Sequence, residues 1–180
     1  MTDTTIRRAV AADLPALLDI YNHYVLNTAI TFDIEPRTLE QRREWFSQFS
    51  GSGRYQCFVA AKDGAAIGWA CSSRFKDRAA YDTTVETSIY LAPGATGAGF
   101  GRRLYETLFE AISGENVHRI FAGATLPNEA SVKLHEAMGF ALIGVQPQVG
   151  RKFGKFWDVA MFMRGIQSGS PPVLPIGGLH

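Results

Sequence analysis

The sequence predicts an α+β domain with a mixed central sheet flanked by helices. Three observations predict it. Strand-like and helix-like patterns follow one another in the order β-α-α-β-β-β-α-β-α-β-β. Asp63-Gly64 between two apolar runs marks a hairpin, so part of the sheet is antiparallel. Residues 84–108, TVETSIYLAPGATGAGFGRRLYETL, read as a strand, a glycine loop and a helix, a crossover unit that makes another part parallel.

Each element has a local reason. Residues 5–10 form a short strand. Asp13 is placed to cap a helix with Leu14, Leu17, Leu18, Tyr21 and Val25 at helical spacing. Residues 31–36, TFDIEP, are a loop in which Phe32 either packs or walls a ligand pocket. Thr38 and Gln41 make a capping-box pattern that opens an amphipathic helix of Leu39, Arg42, Arg43 and Trp45-Phe46, ended by Gly51 and Gly53. Residues 57–62 and 66–73 are the two hairpin strands. The polar loop 74–82 leads into the central strand, where Val85, Ile89, Tyr90 and Leu91 are strand formers. After the glycine loop, Leu104, Leu108 and Ile112 share one helix face. Residues 119–125 form the next strand. Asn128 is an N-cap for a helix bearing Val132, Leu134, His135 and Met138, closed by Gly139. Strands at 140–145 and 157–163 end the domain, separated by the basic loop PQVGRKFGKF. One domain is expected over residues 1–166. The proline- and glycine-containing stretch 167–180 is expected to be a disordered tail.

Composition narrows the function. The chain has 180 residues, 46% of them hydrophobic, enough for one globular domain with a substantial core. A net charge of +1 argues against a nucleic-acid partner. No apolar run is long enough to span a membrane, and MTDTTIRRAV lacks the apolar stretch of a signal peptide. Cys57 and Cys71 lie in apolar strands and read as buried thiols of a reducing, cytoplasmic compartment. The four histidines show no ligand spacing, so no metal is expected.

The glycine loop carries the chemistry. A helix start leaves N–H groups without partners, and its dipole favours negative charge. Gly97, Gly99 and Gly101 let a phosphate approach that backbone closely. A Rossmann turn or an ordinary tight turn has similar spacing. The junction lies mid-chain, however, and no acid ends the strand that follows, which argues against a dinucleotide fold. No Lys-Ser/Thr follows the last glycine, so it is not a Walker loop.

The run Thr96-Gly97-Ala98-Gly99-Phe100-Gly101 resembles the acyl-CoA-binding motif of the GNAT N-acetyltransferases, Gln/Arg-x-x-Gly-x-Gly/Ala. Thr96 departs from it, standing where Gln or Arg is usual. YNHYV (21–25), TFDIEP (31–36), FKDRAAYDTTVE (75–86), LPNEASVKLHEAMGF (126–140) and GRKFGKFWDV (150–159) resemble the phosphinothricin and methionine sulfoximine acetyltransferase branch. The resemblance implies the GNAT acyl-CoA N-acyltransferase fold, acetyl-CoA as cosubstrate, a small-molecule amine acceptor and a homodimer. The apolar last strand, 159–163, also favours a dimer.

The resemblance also assigns roles. Gly97, Ala98, Gly99, Phe100, Gly101 and Arg102 would cradle the pyrophosphate. The backbone of Ile89, Tyr90 and Leu91 would pair with the pantetheine arm, and Asn128 would bond its amide besides capping a helix. An α-amino group is mostly ammonium at neutral pH, so amide formation needs a base. Glu86 matches the family's catalytic glutamate; by itself it also reads as the solvated face of an edge strand. His135 stands where many GNAT enzymes carry a tyrosine that protonates the leaving thiolate; a histidine hydrogen-bonded on a helix face is the other reading. Lys76, Arg78 and Tyr81 suit an acceptor with a carboxylate and a second polar head, or are a solvated loop. Phe32, and Lys152 or Lys155 from their loop, are further acceptor candidates. The alternatives are a GNAT enzyme acting on another small amine or amino acid, and a CoA-binding regulator without turnover.

Overall fold

The computed structural model describes residues 4–166 and residue 173. The expected disordered tail thus lies, residue 173 apart, outside the described residues. The elements are β1 (Thr4–Arg8), α1 (Leu14–Asn27), α2 (Leu39–Phe46), β2 (Cys57–Lys62), β3 (Ala65–Arg74), β4 (Thr84–Leu91), α3 (Phe100–Ser113), β5 (Arg119–Thr125), α4 (Glu129–Ala137), β6 (Ala141–Lys152) and β7 (Lys155–Gly165). This is the expected order. The seven strands form one sheet, β1-β2-β3-β4-β5-β7-β6, in which β4 and β5 are parallel and the other neighbours antiparallel.

Two apolar layers cover the sheet. On one face Leu104, Leu108 and Ile112 of α3 are fully buried against Val85, Ile120 and Phe162, with Val132 and Leu134 of α4 packed beside them. On the other, Leu14, Leu17 and Ile20 of α1 pack on Val59, Trp69 and Cys71, with Tyr90 at the margin. Side chains alternate along a strand. Val85, Thr87 and Ile89 of β4 therefore face α3, whereas Glu86, Ser88 and Tyr90 face α1 and α2.

Local signals explain most boundaries. Asp63 (φ 50°) and Gly64 (φ 85°) turn the β2–β3 hairpin with the two positive φ values of a type I′ turn. The capping box opens α2: Gln41 N–H donates to Thr38 Oγ1 (3.2 Å) and Thr38 N–H to Gln41 Oε1 (2.9 Å).

Three expectations are corrected. Asp13 makes no side-chain cap to α1. Its carboxylate instead receives Arg7 at 2.7 Å on each oxygen and the Val10 N–H at 2.8 Å, because a charged fork outcompetes one helix N–H. The basic loop is largely strand: β6 and β7 run on to a turn at Phe153 and Gly154. A register shift between Gln146 and Gly150 takes up Pro147, which an edge strand tolerates. The apolar last strand lies between β5 and β6, so Ala160 and Phe162 serve the core and do not argue for a dimer. Arg42, one of the residues that make α2 amphipathic, is 5% exposed. It shares the i, i+3 stripe of Leu39 and Trp45, which turns it inward.

Candidate functional site

The site grows from a divergence of two strands. β4 pairs with β5 only at Thr84, Val85 and Glu86, although β4 runs on to Leu91 and β5 to Thr125. Beyond Glu86 the strands part, leaving the facing side of each without a ladder partner. Glu86 is the last paired residue. β4 is the middle strand of the sheet, which removes the edge-strand reading of Glu86. Its side chain is part-buried and, among the described residues, forms no ion pair. Desolvation raises its pKa, the direction a general base needs in order to hold a proton near neutrality. Leu91, at the far end, already accepts a hydrogen bond from Tyr24 Oη at 2.7 Å on its carbonyl.

The glycine loop sits at the end of the same strand. Gly97 and Gly99 have φ of 79° and 80°, a left-handed backbone that a side chain disfavours. A methyl placed on either would meet no protein atom within 4 Å, so their backbone is open to a ligand. Gly99 is the N-cap of α3 and supplies no side-chain cap. The first helical bond of α3 runs from Arg103 N–H to the Gly99 carbonyl at 3.2 Å. The N–H groups of Phe100, Gly101 and Arg102 precede that ladder and fit a diphosphate. Gly101 is instead a packing glycine: a Cβ there would lie 3.1 Å from Leu134 Cδ2 of α4. Thr96 Oγ1 donates to the Pro93 carbonyl at 3.2 Å, so its side chain serves its own turn. Ala98 is exposed, and Arg102 pairs along the helix with Glu106 at 2.9 Å.

His135 is in the core, 2% exposed. Nδ1–H donates to the Ser131 carbonyl at 2.7 Å, which leaves Nε2 to accept from Tyr105 Oη at 3.1 Å. The ring stacks on Phe162 at 5.2 Å and 12°. Burial lowers its pKa against the raising effect of Ser131, keeping it neutral. This geometry favours the helix-face reading over the proton-donor one. Asn128 Oδ1 accepts the Ser131 N–H at 3.2 Å and caps α4.

A cavity lies on the face of the sheet toward which Glu86 points. A cavity of about 490 Å³ opens between α1, α2 and the β3–β4 pair, lined by Tyr21, Arg42, Trp45, Trp69, Ser88 and Tyr90. Asp33 and Arg37 stand on its wall, joined by two bonds of 2.7 and 2.8 Å. Phe32 does not line it; its ring lies where a Gly150 Cβ would be, 2.2 Å away, so it packs on the β6–β7 hairpin. Lys152 is buried and donates to the Thr31 carbonyl at 2.8 Å, fastening the 28–38 loop rather than facing a ligand. Lys155 is exposed. Lys76 is exposed, its Nζ 4.9 Å from the Phe75 ring centre and 5.1 Å from Tyr81. Phe75 touches Phe121, the residue paired with Glu86, at 4.9 Å between ring centres. The structure thus brings Lys76 and Tyr81 to the Glu86 end of β4, with Arg78 exposed in the turn between them. Sequence reasoning missed the Arg42–Trp45–Trp69 wall; the i, i+3, i+6 spacing of Leu39, Arg42 and Trp45 was its signal. Among the described residues no group of three or more His, Cys, Asp or Glu is placed to hold a metal, and no helix is long and apolar enough to cross a membrane.

Comparison with known proteins agrees with this geometry. The chain is 47% identical to a phosphinothricin N-acetyltransferase of Streptomyces coelicolor, over 91% of this chain and 97% of that protein. It is 32% identical to an L-methionine sulfoximine/L-methionine sulfone acetyltransferase of Salmonella typhimurium, over 93% and 98%. The fold superposes on a GNAT superfamily phosphinothricin acetyltransferase of Sinorhizobium meliloti, solved in complex with AcCoA, with a TM-score of 0.88 at 35% identity, covering 97% of this chain and 94% of that one. Residues 6–161 match the family described as the acetyltransferase (GNAT) domain, and the chain belongs to that family.

Proposed function

We propose that the chain is an acetyl-CoA-dependent N-acetyltransferase acting on the α-amino group of a small amino acid analogue of the phosphinothricin, methionine sulfoximine or methionine sulfone type. The relatives named above act on such compounds or carry that cosubstrate. One observation carries the reading: an unpaired, part-buried carboxylate, Glu86, sits where β4 and β5 part, with an open glycine loop on one side of the sheet and a cavity on the other.

The chain's residues divide the work. The main chain of Gly97, Ala98, Gly99, Phe100, Gly101 and Arg102 holds the diphosphate of acetyl-CoA, which supplies the activated acetyl group. The backbone of Ile89, Tyr90 and Leu91 aligns the pantetheine arm through the groups that β3 and Tyr24 leave free, and Asn128 bonds its amide besides capping α4. Backbone N–H groups at the parting of the strands stabilise the charge that develops on the thioester oxygen. Glu86 takes the proton from the acceptor ammonium, directly or through one water. His135 fixes α4 through Ser131 and Tyr105. Lys76, Arg78 and Tyr81 attend the acceptor's polar head from the Glu86 end of β4, and Phe32 braces its loop against the β6–β7 hairpin.

Release of CoA thiol from acetyl-CoA, measured with a panel of amino acids and simple amines, tests the reading. Phosphinothricin, methionine sulfoximine or methionine sulfone should lead the panel, and Glu86→Gln should lower kcat about 10²- to 10⁴-fold while acetyl-CoA still binds. A panel led by simple amines would move the chain to another acceptor class. Acetyl-CoA binding with no turnover of any amine would make it a regulator. We further infer a cytoplasmic homodimer. The exposed Val149, Phe153 and Phe156 of the β6–β7 hairpin support the dimer, and the free thiols of Cys57 and Cys71 support the compartment. Light scattering at micromolar concentration should give twice the chain mass.

A further inference from the structure

Arg42 is a charge without a counter-charge. The residue is 5% exposed, yet among the described residues its buried Nε and Nη2 have no hydrogen-bond partner. None of the ion pairs there includes it. Its flat faces are occupied: Cζ lies 3.5 Å from the Trp45 ring centre and 4.5 Å from that of Trp69. Guanidinium N–H groups point outward in the plane of the group, so stacking leaves them unsatisfied.

The acids nearby do not supply the missing partner. Asp33 on the cavity wall accepts two bonds from Arg37 and one from Tyr21 at 2.8 Å. Glu44 lines the rim but is exposed and unpaired with Arg42. Burial brings the Arg42 pKa down to about 10, so the group remains a cation at neutral pH. Arg42 and Ser88 line the same cavity. Ser88 lies two residues beyond Glu86 on the same strand face, about 7 Å along it. Ser88 thus ties the cavity that Arg42 lines to the strand face that carries Glu86.

We propose that Arg42 is the receptor for the acceptor's α-carboxylate: its in-plane N–H groups grip the two oxygens while the adjoining amine faces Glu86. This rests on the acetyltransferase reading above and deepens it. A planar fork matches a carboxylate bidentately, which a lysine does not. The aromatic walls of Trp45 and Trp69 hold the fork in one plane and keep water from replacing the ligand. Arg42 then separates free α-amino acids from simple amines and from amino acids whose carboxyl is blocked. Lys76 and Arg78, exposed at the other end of β4, are left for the acceptor's second head.

The test compares methionine sulfone with its carboxamide, which has the same amine and side chain without the negative charge. Wild type should prefer the acid by about 50-fold or more in kcat/KM. Arg42→Met should bring that ratio below about 3, with KM for acetyl-CoA unchanged. Arg42→Lys, which keeps the charge and loses the fork, should cut the ratio about tenfold and answers the question if the Met variant does not fold. Tryptophan emission offers a readout apart from turnover, since Trp45 and Trp69 line the cavity. The acid should shift it in wild type and leave it unmoved in the variant. A ratio that persists in a variant with intact acetyl-CoA binding overturns the role of Arg42 alone. Wild type that binds acetyl-CoA and acetylates neither compound overturns the acceptor reading, and this inference with it.

Discussion

Glu86 is held where its charge is disfavoured, and this has two measurable consequences. Desolvation raises its folded pKa above the ordinary carboxylate range. The acid limb of kcat/KM should therefore lie above pH 4.5, and in Glu86→Gln that limb should vanish along with most of the rate. Stability follows with a definite sign. Between the unfolded and the raised folded pKa the native state binds more protons, so stability falls as pH rises through that window. Glu86→Gln should then melt higher than wild type at pH 7.5, the difference closing below about pH 4. An equal melting temperature at both pH values would mean that the carboxylate is well solvated. His135 presents the opposite case. Its two nitrogens are already used, by Ser131 and Tyr105. His135→Ala removes a stacked ring and strands the Tyr105 hydroxyl, at a cost of about 3 kcal/mol, or roughly 6–12 °C in Tm. The folded variant should keep kcat within about threefold and keep the alkaline limb of its pH profile. Loss of that limb would restore His135 as the proton donor.

At the scale of elements, the start of α3 separates cofactor binding from stability. Gly99 has φ of 80° and open space around the position of a Cβ. Gly99→Ala should cost about 1 kcal/mol through the left-handed backbone alone, since the methyl meets no protein atom. The same methyl would stand in the path of a diphosphate, so KM for acetyl-CoA should rise about tenfold or more while acceptor KM stays put. An unchanged acetyl-CoA KM would take the loop out of the cradle. The Arg7–Asp13 pair is a structural counterpart. Burial opposes the Asp13 charge, but the Arg7 bonds and the Val10 N–H outweigh it and hold the carboxyl below its usual range. Its stabilisation is complete above about pH 4 and lost as pH falls further. Asp13→Ala should cost about 2 kcal/mol at pH 7, seen as a fall of roughly 4–8 °C in Tm. Such cases mark what the chain order reveals. Helix faces, the Asp63-Gly64 hairpin and the α2 capping box were legible because each rests on neighbours in sequence. Asp13 was misread because its partner, Arg7, lies across the 3₁₀ turn that precedes α1, and two charged bonds there outweigh a local cap. The β6–β7 strands were cut short because Pro147 looks like a terminator until the bulge that accommodates it is seen.

At the scale of the whole molecule, the catalytic idea depends on a gap in a sheet, and a gap is the hardest feature to read from a chain. Glu86, the glycine loop and Asn128 were legible as types of residue in a known order. Arg42 was not, because an arginine in an amphipathic stripe is ordinarily surface, and only the packing of α2 over Trp69 buries it. The gap itself follows from register: β5 keeps its pairing with β7 from Arg119 to Thr125 while β4 keeps its own with β3 to Leu91, so the two sub-sheets turn away from each other after Glu86. The lips of that gap, 87–91 and 122–125, have one side paired and one side free. Their free N–H groups should exchange with solvent far faster than those shared with β3 or β7. A ligand that adds a strand to the gap reverses this, as peptide chains do when they extend a sheet. Acetyl-CoA should therefore slow hydrogen exchange at 87–91 together with the first turn of α3, and leave β1 and β2 as they were. At a hundred times its dissociation constant it should also raise stability by about 2.7 kcal/mol. If exchange slows only at the α3 turn, the diphosphate is held but the arm lies elsewhere, and the acyl group would no longer be delivered to the residue that ends the β4–β5 pairing.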